Sequence, residues 1–544
     1  QTLLTIALTF TLSVNVLQVL GAFRELTLSW PEPMRTIYSV LQIFTFRIEL
    51  LNPGCVFDTN QAWVTYLGAL LMHPTFVLLL SCVFALSKYG PMRKNVSAPE
   101  VINAQGLVLL MLYISISIIS VKPHQCEKNP DGTRSIVQYR AVICGGDSQV
   151  PAGHPGHNME HNIMIVFSAF GILAYDVAFI SFVLWATLAY PLRISKPGGV
   201  RFIRCFQFLF NRFTPEAYYY GFIYCLRNLI IALLPVIFVD NVATQLMSMA
   251  SVVVTAALIM CWLRPWRAML ANYLDALAAV GLLLILMGGT MLLDMGAGGI
   301  EDSVTTFFFV IISCMCLAFF LTIGYAVFLF ARPPMPYGIF LSHHKEGAAV
   351  LARWCKLILH DMTSENVFYD SDDLSQLNLL FEICAYQTKN VIVLLTKDTL
   401  QRIWCAGEIA SAIGNKVHMV LVACQGYEAP GSEFIDNLED IWTDLQKSQI
   451  AQLGVEVYHI QRAYRKFEAM PLLHLDRNLT MPLQQKVLED AFGQCKRIRR
   501  SKARLLSLSG SGFPVLGGKG GDAGKNEEAA ILIIGKTGPN QPES

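Results

Sequence analysis

The segment Arg402-Ile-Trp-Cys-Ala-Gly-Glu-Ile-Ala-Ser-Ala-Ile-Gly414 carries one carboxylate, Glu408, among small and apolar residues. Such a segment is built for burial. An acid kept inside it either hydrogen-bonds neighbouring backbone as a structural group or takes part in chemistry. Trp404 lies four positions before Glu408, so on a helix the two share a face and the indole can wall a cleft that holds the acid. A second set of reactive types, Ser342-His343-His344-Lys345, stands at the end of the apolar run "YGIFLS".

Both sets need elements to position them. Short β-branched runs "YGIFLS" (337–342), "NVFYD" (366–370), "NVIVLLT" (390–396) and "VHMVLVAC" (417–424) alternate with helical patterns near 346–361, 375–388 and 402–414. "VEVYHI" (455–460) is the expected fifth strand, and 432–449 and 481–499 read as helices. Strands alternating with helices imply a parallel sheet covered on both faces. The expected fold is flavodoxin-like α/β, whose ligands bind beyond the carboxyl ends of the strands. That edge is where Ser342 to Lys345 and the loop before Glu408 belong.

The first 331 residues are of another kind. The 544-residue chain is 54% hydrophobic and only 15% charged, too apolar for one ordinary soluble domain. Its net charge of +1 gives no global pointer to nucleic acid. Apolar runs near 2–23, 35–51, 62–87, 104–122, 163–190, 217–239, 243–263, 271–294 and 303–331 predict a polytopic α-helical membrane bundle of about nine spans. The second is the weakest, with Arg47 and Glu49 at its far end. Arg24, Arg35, Arg93, Lys94, Arg193, Arg201, Arg264, Arg267 and Arg332 mark the loops of one side, which the positive-inside tendency assigns to the cytosol. Nine crossings then place the N-terminus outside or luminal and the C-terminal half in the cytosol. The chain starts with Gln and enters an apolar run directly, as expected of a fragment with upstream sequence missing.

Of the 14 cysteines, Cys126 and Cys144 share the long outer loop and are expected to pair. His154, His157 and His161 stand in the same loop, but no cysteine or acid completes a four-ligand set, and no metal site is assigned. Asp176, Arg227 and Asp275 lie within spans, and Arg227 is expected to pair with one of the two acids.

Two resemblances emerge. "FTPEAYYYGFIYCLRNLIIALLPVIF" with "CWLRPWRAMLANYLDALA" resembles the multi-pass module of TRP-like, polycystin-related membrane proteins. "IFLSHHKEGAAVLARWCKLIL", "NVFYDSDDLSQLNLLFEI" and "NVIVLLTKDTLQRIWCAGEIASAI" resemble, in order, the first strand and helix, the second strand with its BB loop, and the WCxxE helix of a Toll/interleukin-1 receptor (TIR) domain.

The second resemblance implies homotypic association with other TIR domains. In the enzymatic members it also implies cleavage of NAD+, as substrate and not as cofactor, at the nicotinamide–ribose bond. The catalytic glutamate is then Glu408, in an open, water-poor crevice where a fixed carboxylate stabilises oxocarbenium-like charge. Ser342, His343, His344 and Trp404 become the nucleotide-contacting candidates. The glycine common in BB loops is absent from "DDLSQLNLLF", and Asp370 is expected to order that loop and not to catalyse.

The expected organisation is a transmembrane module over 1–331, a linker at 332–336, a cytosolic TIR domain over 337–496, and a basic, then Gly-rich disordered tail over 497–544. The basic cluster 496–504 reads as a solvated helix end or a contact with anionic lipid. The functional expectation is a membrane-anchored signalling protein that cleaves NAD+ on self-association. The alternatives are a non-enzymatic TIR scaffold, or a TRP-like channel or transporter regulated by the TIR domain.

Overall fold

In hydrocarbon a backbone must satisfy its polar groups within its own segment, and in the computed structural model the N-terminal apolar runs are helices. The structure describes residues 2–41, 61–89, 97–145, 157–292, 301–331, 335–373 and 379–501, apart from 29, 33 and 131. Seven helices are long and apolar enough to cross a membrane: Leu4–Phe23, Ala98–His124, Met159–Arg193, Tyr220–Ile237, Val242–Leu263, Met269–Met291 and Ser303–Leu329. The pair Ala62–Leu70 and Met72–Lys88, bent by 40° at its break, is apolar enough to be a broken span or a re-entrant loop. Pro74 explains the break, since it has no N–H to give the Leu70 carbonyl. The Tyr175 hydroxyl donates to that carbonyl instead, at 3.3 Å.

The expected second span falls largely outside the described residues. Only the helix Met34–Leu41 is described there, and 42–60 lie outside the described residues. Its flanks lie on one side of the helix layer. Gln125, beside the disulfide loop, donates to Glu25 O at 2.8 Å, and Ala62 N–H donates to Glu160 at 3.3 Å. At its other end the first helix begins beside the C-terminal half, where Leu4 lines one cleft with Arg267, Glu382 and Gln452. The first helix therefore starts on the side of the sheet, opposite to the expected arrangement. Arg24 and Arg35 stand at the end of the first helix and in the helix Met34–Leu41, near the disulfide side, which the charge count did not assign to them.

On that side Cys126 and Cys144 form the expected disulfide, next to the antiparallel pair β1 (Cys126–Lys128) and β2 (Arg134–Ile136). His161 approaches Cys126 Sγ at 4.0 Å, but both sulfurs are committed to each other. His154 lies outside the described residues.

The expected intramembrane ion pair is absent among the described residues. Arg227 donates to Asn15 Oδ1 at 2.7 Å and lies over the Tyr224 ring at 4.7 Å. Asp275 accepts from Trp266 Nε1 at 2.8 Å, and Asp176 from Ser120 Oγ at 2.7 Å. Neutral donors thus hold both acids, an arrangement that spacing alone does not predict. Asn15, Arg227 and Asp275 border a cavity of about 20 Å³, room for one water.

The C-terminal half is a five-stranded parallel sheet, order β4-β3-β5-β6-β7, from β3 (Tyr337–His343), β4 (Asn366–Phe368), β5 (Thr388–Leu395), β6 (His418–Cys424) and β7 (Leu472–Leu475). Successive side chains point to opposite faces. Phe340, Val391 and Val393 enter one core with Ala406 and Ile409. Leu341, Ile392 and Leu394 enter the other with Leu351 and Leu359. Burial on both faces is why these strands read as continuous apolar runs.

Two expected boundaries are corrected. "VEVYHI" belongs to the helix Val457–Tyr464, where Glu456 and His459 form a capping box and Val457, Ile460 and Tyr464 are buried at helical spacing. Residues 497–501, assigned to the tail, belong to the fold: Ser364 N–H donates to Arg499 O and Ser501 N–H to Met362 O. Positions 502–544, including the expected disordered stretch, lie outside the described residues.

The two halves meet through polar contacts. Arg204 pairs with Glu456, Arg267 donates to Gln452 O at 3.3 Å, and Gln452 donates to the Tyr190 hydroxyl at 2.5 Å.

Candidate functional site

The site is built where β3 ends. Side chains alternate along a strand, so the consecutive residues Ser342 and His343 part company. Ser342 follows Phe340 onto the face covered by the helix Ile403–Gly414, and its hydroxyl donates to Glu408 Oε2 at 2.5 Å. His343 follows Leu341 onto the opposite face, stacked on Tyr369 with ring centroids 5.1 Å apart and planes 16° from parallel. The backbone ties both sides together, because Cys405 Sγ donates to His343 O at 3.3 Å.

Around this pair stand groups of mixed charge. Asp370 lies 3.6 Å from His343 Nε2 and 3.1 Å from Lys345 Nζ. It opens the short helix Asp370–Asp373, where Tyr369 N–H donates to Asp373 at 2.9 Å and Lys356 reaches Asp373 at 3.0 Å and Asp372 at 3.2 Å. Asp372 and Asp373 hold the turn after β4, while Asp370 meets His343 and Lys345. Loop residues 374–378 lie outside the described residues. His344 is buried, starts the helix Lys345–Met362, and leaves its Nδ1 without a hydrogen-bond partner among the described atoms.

Trp404 does not join this group. Its half-buried ring meets Phe381 at 5.6 Å, and Phe381 also packs so closely on Gly407 that a Cβ there would lie 2.2 Å from it. The spacing of four put the indole and the acid over one helix face, but the glycine between them admits Phe381, against which the half-buried indole packs at the edge of the core.

Electrostatically, Glu408 departs from the expected fixed carboxylate. Its side chain is 6% exposed, and burial pushes its carboxyl up to about 8; the Ser342 hydrogen bond and Lys345 act the other way, while Asp370 reinforces the rise. At neutral pH the acid is mostly protonated. Burial also lowers the His343 imidazole, keeping it neutral against the pull of Asp370. Among the described residues Glu408 is buried and its carboxyl is taken up by Ser342. Two cavities of this half, one beside the strand starts and one at the junction with the helices, are lined by other residues.

Sequence reasoning brought Glu408, Ser342, His343 and Lys345 to one edge of the sheet. It missed Tyr369 and Cys405, whose roles depend on cross-strand packing that no motif records. No protein-family model matches the chain, and no curated protein matches it.

Proposed function

We propose that the chain is a membrane-anchored TIR-type signalling protein whose C-terminal domain cleaves NAD+ after self-association, and that the structure is its closed, resting form. One observation carries this: Glu408, the glutamate of the WCxxE motif, meets Ser342 at the carboxyl end of the parallel sheet, the edge where ligands bind in open α/β sheets. The strand order β4-β3-β5-β6-β7 supports a flavodoxin-like TIR fold. The long apolar helices support membrane anchoring. Counting the bent pair as one span gives an even number of crossings, which supports a reading with the N-terminus and the C-terminal domain on the same, cytosolic side.

The chemistry assigns Glu408 a definite task. The C–N bond between nicotinamide and C1′ of its ribose breaks, and the bonding pair leaves with neutral nicotinamide. Positive charge gathers on C1′ and the ring oxygen, and an ionised Glu408 beside the sugar stabilises it. Water then bonds to C1′ and releases a proton, giving hydrolysis; an adenine nitrogen in its place gives cyclisation. A buried, protonated acid does none of this. Activity therefore requires that association open the edge, hydrate Glu408 and lower its proton affinity. Ser342 keeps the carboxyl oriented, and His343, His344 and Lys345 are the nearby groups for ribose or phosphate. Trp404 serves this site through the core.

A second reading, a non-enzymatic docking domain, is favoured by the closure itself: Glu408 is satisfied inside one chain and braces the helix Ile403–Gly414 against β3. Incubating the full chain, clustered at high density in proteoliposomes, with NAD+ separates the two. Nicotinamide release that disappears in Glu408→Gln supports the enzyme; no release at any density leaves only the docking domain.

A further inference from the structure

At the opposite edge of the sheet, where the strands start, the surface forms a cleft of about 720 Å³ lined by Lys389, Lys416, His418, Lys466, Lys496 and Arg497. Lys389 is paired with Glu365 at 2.7 Å, and His418 Nε2 lies 2.8 Å from Gln494 O. Lys416, Lys466, Lys496 and Arg497 are exposed and enter no ion pair among the described residues. Two of them are held in left-handed backbone conformations, Lys416 at φ 59° and Arg497 at φ 54°. Such conformations are uncommon for residues with a side chain and gather at ligand sites. Four uncompensated cations around one hollow of this size suit a multiply phosphorylated ligand.

The position of the cleft identifies the source of that ligand. The last apolar helix ends at Ala331 and β3 begins at Tyr337. Six residue steps reach at most about 21 Å. Tyr337 is in register with Thr388, and Asn390 with His418. The starts of β3, β5 and β6 therefore stand side by side, about 5 Å apart per strand. On this geometry the edge carrying the cleft is the one nearest the end of the last helix, while Ser342 and Glu408 occupy the far edge. Given that the apolar helices span a bilayer, as proposed above, the cleft faces the cytosolic leaflet.

We infer that this cleft binds the phosphorylated headgroup of an anionic membrane lipid and so fixes the catalytic or docking edge outward, away from the bilayer. The shared chemistry is a polyol carrying several phosphates, available either from a lipid or as a free inositol phosphate.

The test uses the full chain in nanodiscs of phosphatidylcholine, with or without phosphatidylinositol 4,5-bisphosphate, followed by hydrogen–deuterium exchange. The lipid is expected to slow exchange at least tenfold over 413–419, 466–471 and 494–498. A variant carrying Lys416→Gly, Lys466→Gln and Lys496→Gln, in which glycine suits the left-handed site, is expected to lose that protection while retaining wild-type exchange in the β5 core. The exposed control Lys486→Gln keeps it. Protection by soluble inositol trisphosphate alone overturns the lipid assignment, and equal exchange in all arms overturns the site. Retention of the chain in membranes after alkaline carbonate washing checks the bilayer premise separately.

Discussion

The Ser342 hydroxyl and the Glu408 carboxyl, 66 residues apart in the chain, meet at 2.5 Å across the junction of β3 and the helix Ile403–Gly414. Each is buried, at 1% and 6% exposure. The bond is therefore made where water cannot replace it, and losing it has consequences for folding as well as for chemistry.

Ser342→Ala should destabilise the C-terminal half by roughly 1–3 kcal/mol, the usual cost of leaving a buried polar group without its partner. Thermal unfolding of the full chain in detergent, followed by a probe in that half, reads the change. The hydroxyl also favours the charged form of Glu408. If NAD+ is cleaved, the variant should need higher pH for half-maximal activity.

Stability should depend on pH through Glu408. Its proton affinity rises on folding, to a pKa of about 8 from an ordinary value of 4.5. The folded state thus holds a proton that the unfolded state releases, and stability falls as pH rises between those two values. Each tenfold change in proton affinity is worth about 1.4 kcal/mol. The melting temperature of the C-terminal half should fall from pH 5 to pH 8, and Glu408→Gln should flatten that slope. A slope unchanged in the variant contradicts the burial of an ionisable acid at this position.

Much of this architecture was legible in the chain. The β-branched runs located four of the five strands because burial on both faces leaves little polar interruption. "VEVYHI" misled because β-branched composition outweighed the capping signal of Glu456 and His459. Glu408 was conspicuous as an acid in an apolar segment, and Ser342 and His343 stood at a strand end. Their division between opposite faces follows from alternation. The burial of Glu408 against Ser342, the meeting of Trp404 with Phe381 and the neutral partners of Arg227 and Asp275 are packing outcomes between distant segments, which spacing does not encode.

The direction of the first helix is open to direct test. Epitope tags fused ahead of residue 1 and after residue 501 of this chain should be accessible from the same face of sealed vesicles. Reaction from opposite faces contradicts the even number of crossings.

The junction of the two halves gives another prediction. Arg204 pairs with Glu456, which also caps the helix Val457–Tyr464. Glu456→Ala should therefore cost about 1 kcal/mol more than Arg204→Ala, because only the former removes a cap as well as a charge pair. A double-mutant cycle on protease resistance of the C-terminal half measures the difference; equal effects would show that the capping contact adds nothing.

The measurement that bears most directly on function is nicotinamide release from NAD+ by the full chain in proteoliposomes of increasing protein density. Release should rise more steeply than in proportion to density, and Glu408→Gln should reduce it on the order of 10²-fold or more while leaving the melting temperature at pH 6 near that of the parent chain. A Glu408→Gln chain that folds and releases nicotinamide at the parent rate, or a parent chain silent at every density, would contradict the catalytic account.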